Sequence, residues 1–313
     1  MLARFRRQRV APGWVALAPA GNRCRAACVG AGPQGRPRVL WTAELAWDEP
    51  LEALREIKAR VGSGRQPVVA LLERGRYQML PMDAPAVPES EWRQAARWQI
   101  KQMVDYPVEA AAFDILTIPA HVTQRGQASL MGIAAPREPI QALVDTADRA
   151  GVSLRAVDIP ETALRNISAL AEEPGRGQAL LNVGPTHSTL VVTAGGELLL
   201  SRSMDVSLAQ LTHADADVRQ QAFERTSLEL QRTLDSFERV FSQVSLSRVL
   251  VSPAERLGEF LTYVRELIYT PVLALDLAAL FDLENVPEVA ADPALQSQWL
   301  PAFGAALRPE AAQ

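Results

Sequence analysis

Between Leu180 and Met204 the chain reads LLNVGPTHSTLVVTAGGELLLSRSM. Gly184 stands in a short polar turn with Thr186 and Ser188 just after it. Backbone N–H groups at such a turn, with two hydroxyls beside them, make a donor set suited to a phosphate. Asn182, two residues before the glycine, offers one neutral carbonyl oxygen and no charge to balance a metal ion. Other chemistry finds little support. There is no Gly-x-Ser-x-Gly elbow, no phosphate-loop lysine and no His-Glu-x-x-His pair. His121, His187 and His213 are scattered, which leaves a catalytic triad without a base in place. Cys24 and Cys28 lie four apart on a predicted strand. At ~3.3 Å per residue their Cα atoms would be roughly 13 Å apart, too far for a disulfide. They are expected to be reduced, structural cysteines, as in a cytoplasmic protein.

The elements that must position these groups follow from periodicity. The run 180–204 predicts three strands, the last two joined at Gly195-Gly196. Residues 14–29 predict a similar strand–turn–strand opening, a weak internal duplication, and Val39 to Leu45 a third strand. Pro50 to Val61 predicts a helix, Val68 to Leu72 an apolar strand, and Tyr77 to Pro81 its hairpin partner. A helix is expected from about Glu89 to Val104, with Trp92, Ala96 and Ile100 on the inward stripe and Trp98 off it. Strands at 113–118 and 128–134 and a helix at 139–150, closed by Gly151, complete a block from 82 to 152. A strand from Leu154 and a helix from Glu161 follow, then a Pro/Gly linker at 172–177. Asp215 to Val244 predicts the longest helix, with Phe223, Leu230, Leu234, Phe237, Phe241 and Val244 on the face that packs on a sheet. A strand at 249–252, a helix at 256–267 and a strand at 272–275 lead to an Ala/Pro-rich tail beyond Asp292.

With 313 residues the chain has room for two domains and a substantial core. A net charge of −4 provides no basic field for nucleic acid. No apolar run reaches the eighteen or so residues of a membrane span. The N-terminal MLARFRRQRV is basic, but Pro12 and Gly13 interrupt the apolar stretch that a signal peptide would need. Arg4, Arg6, Arg7 and Arg9 are expected to form a short arm, solvated or close to an anionic membrane surface.

Two halves that each open with a β-hairpin suggest an α/β, two-domain actin-like fold with an inserted α+β subdomain in domain 1. The residues go further and resemble the PilM family of type IV pilus assembly proteins, particularly its MshI branch. WVALAPAGNRCRAACV matches the first phosphate hairpin, and PESEWRQAARWQIKQMVDYPVEAAAFDILTIP the opening of the inserted subdomain. AGVSLRAVDIPETALRNISAL resembles the return to the first domain; LLNVGPTHSTLVVTAGGELLLSRSM with LELQRTLDSFERV is similar to the second hairpin and its helix. The resemblance implies domain 1 at 1–81 and 153–173, the insertion at 82–152, domain 2 at 178–292 and a tail at 293–313.

The family's phosphate hairpins carry aspartates that hold hydrated magnesium. Here Ala18 and Asn182 stand at those positions, Ala20 replaces the first glycine, and Gly184 keeps the second. The adenosine-side glycines are replaced by Pro253 and Ala254, which bring side chains and a fixed φ where backbone must approach the nucleotide. The resemblance therefore implies a scaffold without ATPase activity and without ATP or Mg²⁺ as a cofactor. It also implies a cytoplasmic protein, peripheral to the inner membrane, that binds the N-terminal cytoplasmic peptide of a PilN/MshJ-like inner-membrane protein. That peptide would lie between domain 1 and the insertion, with Trp92, Trp98, Tyr106 and Pro107 as groove or rim positions. Two alternatives stay open: a working PilM-type nucleotide switch, and a GspL-like cytoplasmic component of type II secretion. The absence of a membrane span after the domain favours PilM over GspL.

Overall fold

The computed structural model describes residues 13–62, 66–101, 103–124, 126–253 and 256–308. The basic arm and Ala254 lie outside the described residues.

The first half is built on β1 (Trp14–Ala20), β2 (Arg23–Ala31), β3 (Pro37–Ala46), α1 (Pro50–Val61) and β4 (Val68–Leu71). Next come β5 (Gln78–Asp83), α2 (Trp92–Ile100), β6 (Ala111–Ile118), β7 (Ser129–Pro136), α3 (Arg137–Ala150), β8 (Leu154–Asp158) and α4 (Pro160–Leu170). The second half runs β9 (Gly177–Val183), β10 (Ser188–Ala194), β11 (Glu197–Met204), α5 (Leu208–Leu211), α6 (Ala216–Val240), β12 (Leu246–Ser252), α7 (Gly258–Leu267) and β13 (Val272–Ala274). The chain ends in α8 (Leu277–Leu280), α9 (Pro287–Ala291) and α10 (Pro293–Ala306).

The two main sheets repeat one plan. Their orders are β3-β2-β1-β4-β8 and β11-β10-β9-β12-β13. In each, three antiparallel strands are followed outward by two parallel ones. The duplication that the sequence only hints at is thus a repeat of topology. Because side chains alternate across a strand, each sheet buries both faces. Leu17, Cys24, Ala26 and Cys28 pack on Leu54 and Ile57 of α1 and Ala147 of α3. Ala16, Ala27 and Val69 face the other way, onto Leu164 and Ile167 of α4 and Leu300 and Phe303 of α10. The same cluster takes Leu180, Val191 and Leu250 from the second sheet. The outer face of that sheet packs on Phe223, Leu230, Leu234 and Phe237 of α6 and Phe260 of α7. The seven-residue pattern of α6 is a core face. Asp215 caps this helix, accepting from the amides of Asp217 and Val218 at 2.8 and 3.3 Å, and these bonds lower its carboxyl pKa.

Three expectations are corrected. Tyr77–Pro81 does not pair with β4; β5 joins β7 and β6 in a separate sheet of order β5-β7-β6. The helix expected at 89–104 is regular only over Trp92–Ile100. After β13 the chain returns to the first half, where Asp282 bridges Arg38 in parallel and their side chains form a 2.5 Å ion pair. The expected tail is helix α10, in which Trp299, Leu300 and Phe303 are buried. Its burial extends almost all the way round, so its sequence lacks the polar face by which periodicity finds a helix.

Candidate functional site

The positions that the resemblance assigns to phosphate hairpins lie at the carboxyl ends of the central strands. Ala18 is half-buried near the end of β1, opposite Arg25, and Ala20 is exposed at the strand's last position. Asn182 lies near the end of β9, paired with Thr189 on β10 and Ser252 on β12. Buried Pro253 follows that serine. Four donors around these positions are already engaged. The Gly21 amide in the first turn donates to the Glu73 carboxylate at 2.7 Å. In the second turn the Gly184 amide donates to the His187 carbonyl at 3.0 Å. A Cβ on Gly184 would meet that carbonyl oxygen at 2.7 Å, so the close turn itself requires the glycine. Ser188 is fully buried and its hydroxyl donates to the Val206 carbonyl at 2.8 Å. The Thr186 hydroxyl bonds the His187 ring at 3.0 Å. The two hydroxyls predicted to face a phosphate are therefore committed within the protein.

The structure also holds a half-buried acid pair that the sequence did not suggest. The Tyr77 hydroxyl donates to Glu161, at the start of α4, at 2.6 Å. Burial pushes the Glu161 carboxyl up, and burial with the nearby carboxylate raises the Tyr77 phenol. His187 is shifted down by burial and by the Arg74 charge.

A second feature is a groove of about 420 Å³ between the small sheet and the first half. One wall is β6, the terminal strand of the small sheet; the opposite side is β8, the terminal strand of the first sheet. Among the described residues, each pairs with a neighbour strand on one side only. Leu116, Ile133, Ile140, Val157 and Ile159 give the groove an apolar lining. Its polar end is fixed by Asp158, which accepts from Arg308 at 2.5 Å, from the Ile159 amide at 2.9 Å and from the Thr162 hydroxyl. Arg165, also lining the groove, is held by two bonds to the Asn166 side chain at 2.9 and 3.1 Å. An apolar cleft with a few fixed polar groups between two open strand edges suits an extended peptide.

None of the four predicted partner residues lines this groove. The Trp92 indole donates to the Val87 carbonyl at 3.0 Å. Trp98 is 67% exposed, consistent with its place off the inward stripe. The Tyr106 hydroxyl is buried without a hydrogen-bond partner among the described residues, and Pro107 is exposed. The groove residues come from strand ends and helix starts distant in sequence.

No family model matches the chain, and no curated protein does. Among solved structures, a chain of a PilM–PilN type IV pilus biogenesis complex superposes with a TM-score of 0.67 at 21% identity. The match covers 94% of this chain and 98% of that one. The cytoplasmic domain of EpsL, an inner-membrane component of the Vibrio cholerae type II secretion system, gives 0.42 at 14% identity over 66% and 76% of the two chains. The ethanolamine utilization protein EutJ from Carboxydothermus hydrogenoformans gives 0.47 at 13% identity, over 94% and 88%. The last two likenesses are too distant to carry an argument. The duplicated sheets and the 0.67 superposition give this chain the actin-like fold, in a form shared along nearly its whole length with the pilus-complex chain.

Proposed function

We propose that this protein is a non-catalytic actin-like scaffold of a type IV pilus assembly machine, of MSHA type. It receives the cytoplasmic N-terminal segment of a PilN/MshJ-like inner-membrane protein. The observation that carries this reading is the apolar groove between the open edges of β6 and β8, in a fold shared with a chain of the PilM–PilN complex. An extended segment adds backbone hydrogen bonds at a strand edge and fills the Leu116–Ile140–Val157 lining with its own apolar side chains. The scaffold then sits at the inner membrane through its partner. No helix among the described residues is long and apolar enough to cross a membrane.

The residues at the hairpins do not fit a magnesium nucleotide. Ala18 and Asn182 supply no carboxylate for hydrated Mg²⁺. The Glu73 carboxylate sits on the Gly21 amide, so a phosphate approaching that turn meets a negative charge. Ser188 and Thr186 are committed elsewhere.

Co-purification with the partner's N-terminal segment tests the groove. Ile140→Glu puts a charge into the apolar wall and should weaken capture at least about tenfold, a loss of about 1.4 kcal/mol or more. Asn182→Ala should leave capture unchanged. The opposite pattern would move the partner to the hairpin cleft and overturn this reading.

A further inference from the structure

The groove does not end at the apolar wall. Beside the start of β6 a second cavity of about 750 Å³ opens, and it shares Ala112 and Phe113 with the groove. Its charged lining consists of Arg93 and Arg97 from α2 and Arg137 from α3, with no carboxylate among the lining residues. Each guanidinium is anchored on a backbone carbonyl at the β6 end. Arg93 donates to Phe113 at 3.1 Å, Arg97 to Val108 at 3.2 Å and Arg137 to Ala111 at 3.1 Å. One carbonyl contact occupies a fraction of the five N–H donors of a guanidinium. Arg93 also pairs with Asp114 at 3.2 Å. Arg97 and Arg137 have no recorded carboxylate partner among the described residues; the nearby Asp145 carboxylate accepts from Gln141. Two guanidiniums, each held by a backbone carbonyl and without an ion-pair partner among the described residues, thus stand at one end of an apolar peptide groove.

We infer that Arg97 and Arg137 receive an acidic side chain of the extended segment that fills the groove. The inference rests on the peptide-binding reading given above and specifies the partner's chemistry. From Ile115, in the apolar groove, back to Ala111, beside the arginines, is four residues of β6. At ~3.3 Å per residue that is roughly 13 Å, so the carboxylate lies about four residues from the apolar anchor of a segment running along the strand. Planar guanidiniums held in place favour a carboxylate, which they can bind with paired N–H···O contacts.

The test is selection of randomised twelve-residue peptides on the full chain at low salt, read by sequencing. Wild type should enrich peptides with apolar anchors and Asp or Glu about four residues away. The variant Arg97→Gln/Arg137→Gln should keep the apolar enrichment, lose the acidic one, and bind a selected acidic peptide about tenfold more weakly. Arg97→Lys/Arg137→Lys should restore part of the acidic preference, which a merely misfolded subdomain would not do. Apolar enrichment without an acidic preference in wild type would overturn this inference and leave the groove reading standing. Absence of any enrichment would remove the groove reading and this inference with it. Pelleting of wild type, but not the Gln variant, with vesicles containing phosphatidylglycerol, without acidic enrichment, would make the arginines a membrane contact and overturn the inference.

Discussion

At position 182, where the resemblance would put a metal-binding carboxylate, stands an amide, and its surroundings argue that one substitution would not create such a site. Asn182→Asp would return a charge, yet Ala18, the Gly21–Glu73 bond and Pro253 would all remain. The variant is expected to show no thermal shift with Mg-ATP, like wild type. A reproducible rise of several degrees in either protein would overturn the non-catalytic reading. The two cysteines give a pH prediction at the same scale. Burial raises the Cys24 thiol from 9.0 to about 12 and the Cys28 thiol from 9.0 to about 11. The unfolded chain therefore loses these protons first as pH rises. Their contribution to stability is full below pH 9 and falls through the alkaline range, by about 1.4 kcal/mol per pH unit for each thiol. Urea midpoints at pH 8 and pH 10 should drop less in Cys24→Ala/Cys28→Ala than in wild type. An equal drop would show that the thiols are not held neutral by the fold.

Among the elements, the contact of α4 with α10 joins the two halves. Gly304 lets the helices approach closely: a Cβ there would lie 2.1 Å from the Ala163 carbonyl oxygen. The Asn166 amide closes the crossing with a 2.8 Å bond to the Gly304 carbonyl. In an isolated helix Gly304→Ala would gain about 1 kcal/mol. Here a backbone atom stands in the way and cannot turn aside, so packing should win by a net ~2 kcal/mol of destabilisation. At about 2.1 cal/mol/K of unfolding entropy per residue, for a chain of this size that corresponds to a Tm lower by roughly 3 °C. An unchanged or raised Tm would mean that the helices separate at little cost. The groove belongs to this scale as well. β6 was legible as a strand from its apolar residues, but its place at an edge facing β8 depends on β5 and β7 pairing beside it.

For the whole molecule, the central layer of α4 and α10 is shared by both sheets. The end of β6 and the loop after it add a second tie: Ile118 and Val122 pack in the core of the second half, and the Gln124 amide donates to the Val240 carbonyl at 3.0 Å. Ending the chain at Asp292 would expose the surface under Trp299, Leu300 and Phe303. Burial of three large side chains contributes about 1.5–3 kcal/mol each, against a typical total of about 5–15 kcal/mol. The shortened chain is expected to lose cooperative unfolding in both halves, followed by near-ultraviolet circular dichroism across a urea series. A sharp transition retained by the second half would show that it folds alone.

By itself the sequence determined the two hairpin openings, the core face of α6 and the left-handed Gly151 cap. These features are local, set by alternation, helical spacing and single-residue backbone preference. Tertiary structure alone decided that the residues after Asp292 are a core helix, that β5 leaves β4 for another sheet, and that the hydroxyls of Thr186 and Ser188 are already bonded. It also assembled the groove, whose lining runs from Leu72 to Arg308. Such a site is a meeting of strand edges far apart in the chain, and no local pattern of residues encodes which edges meet.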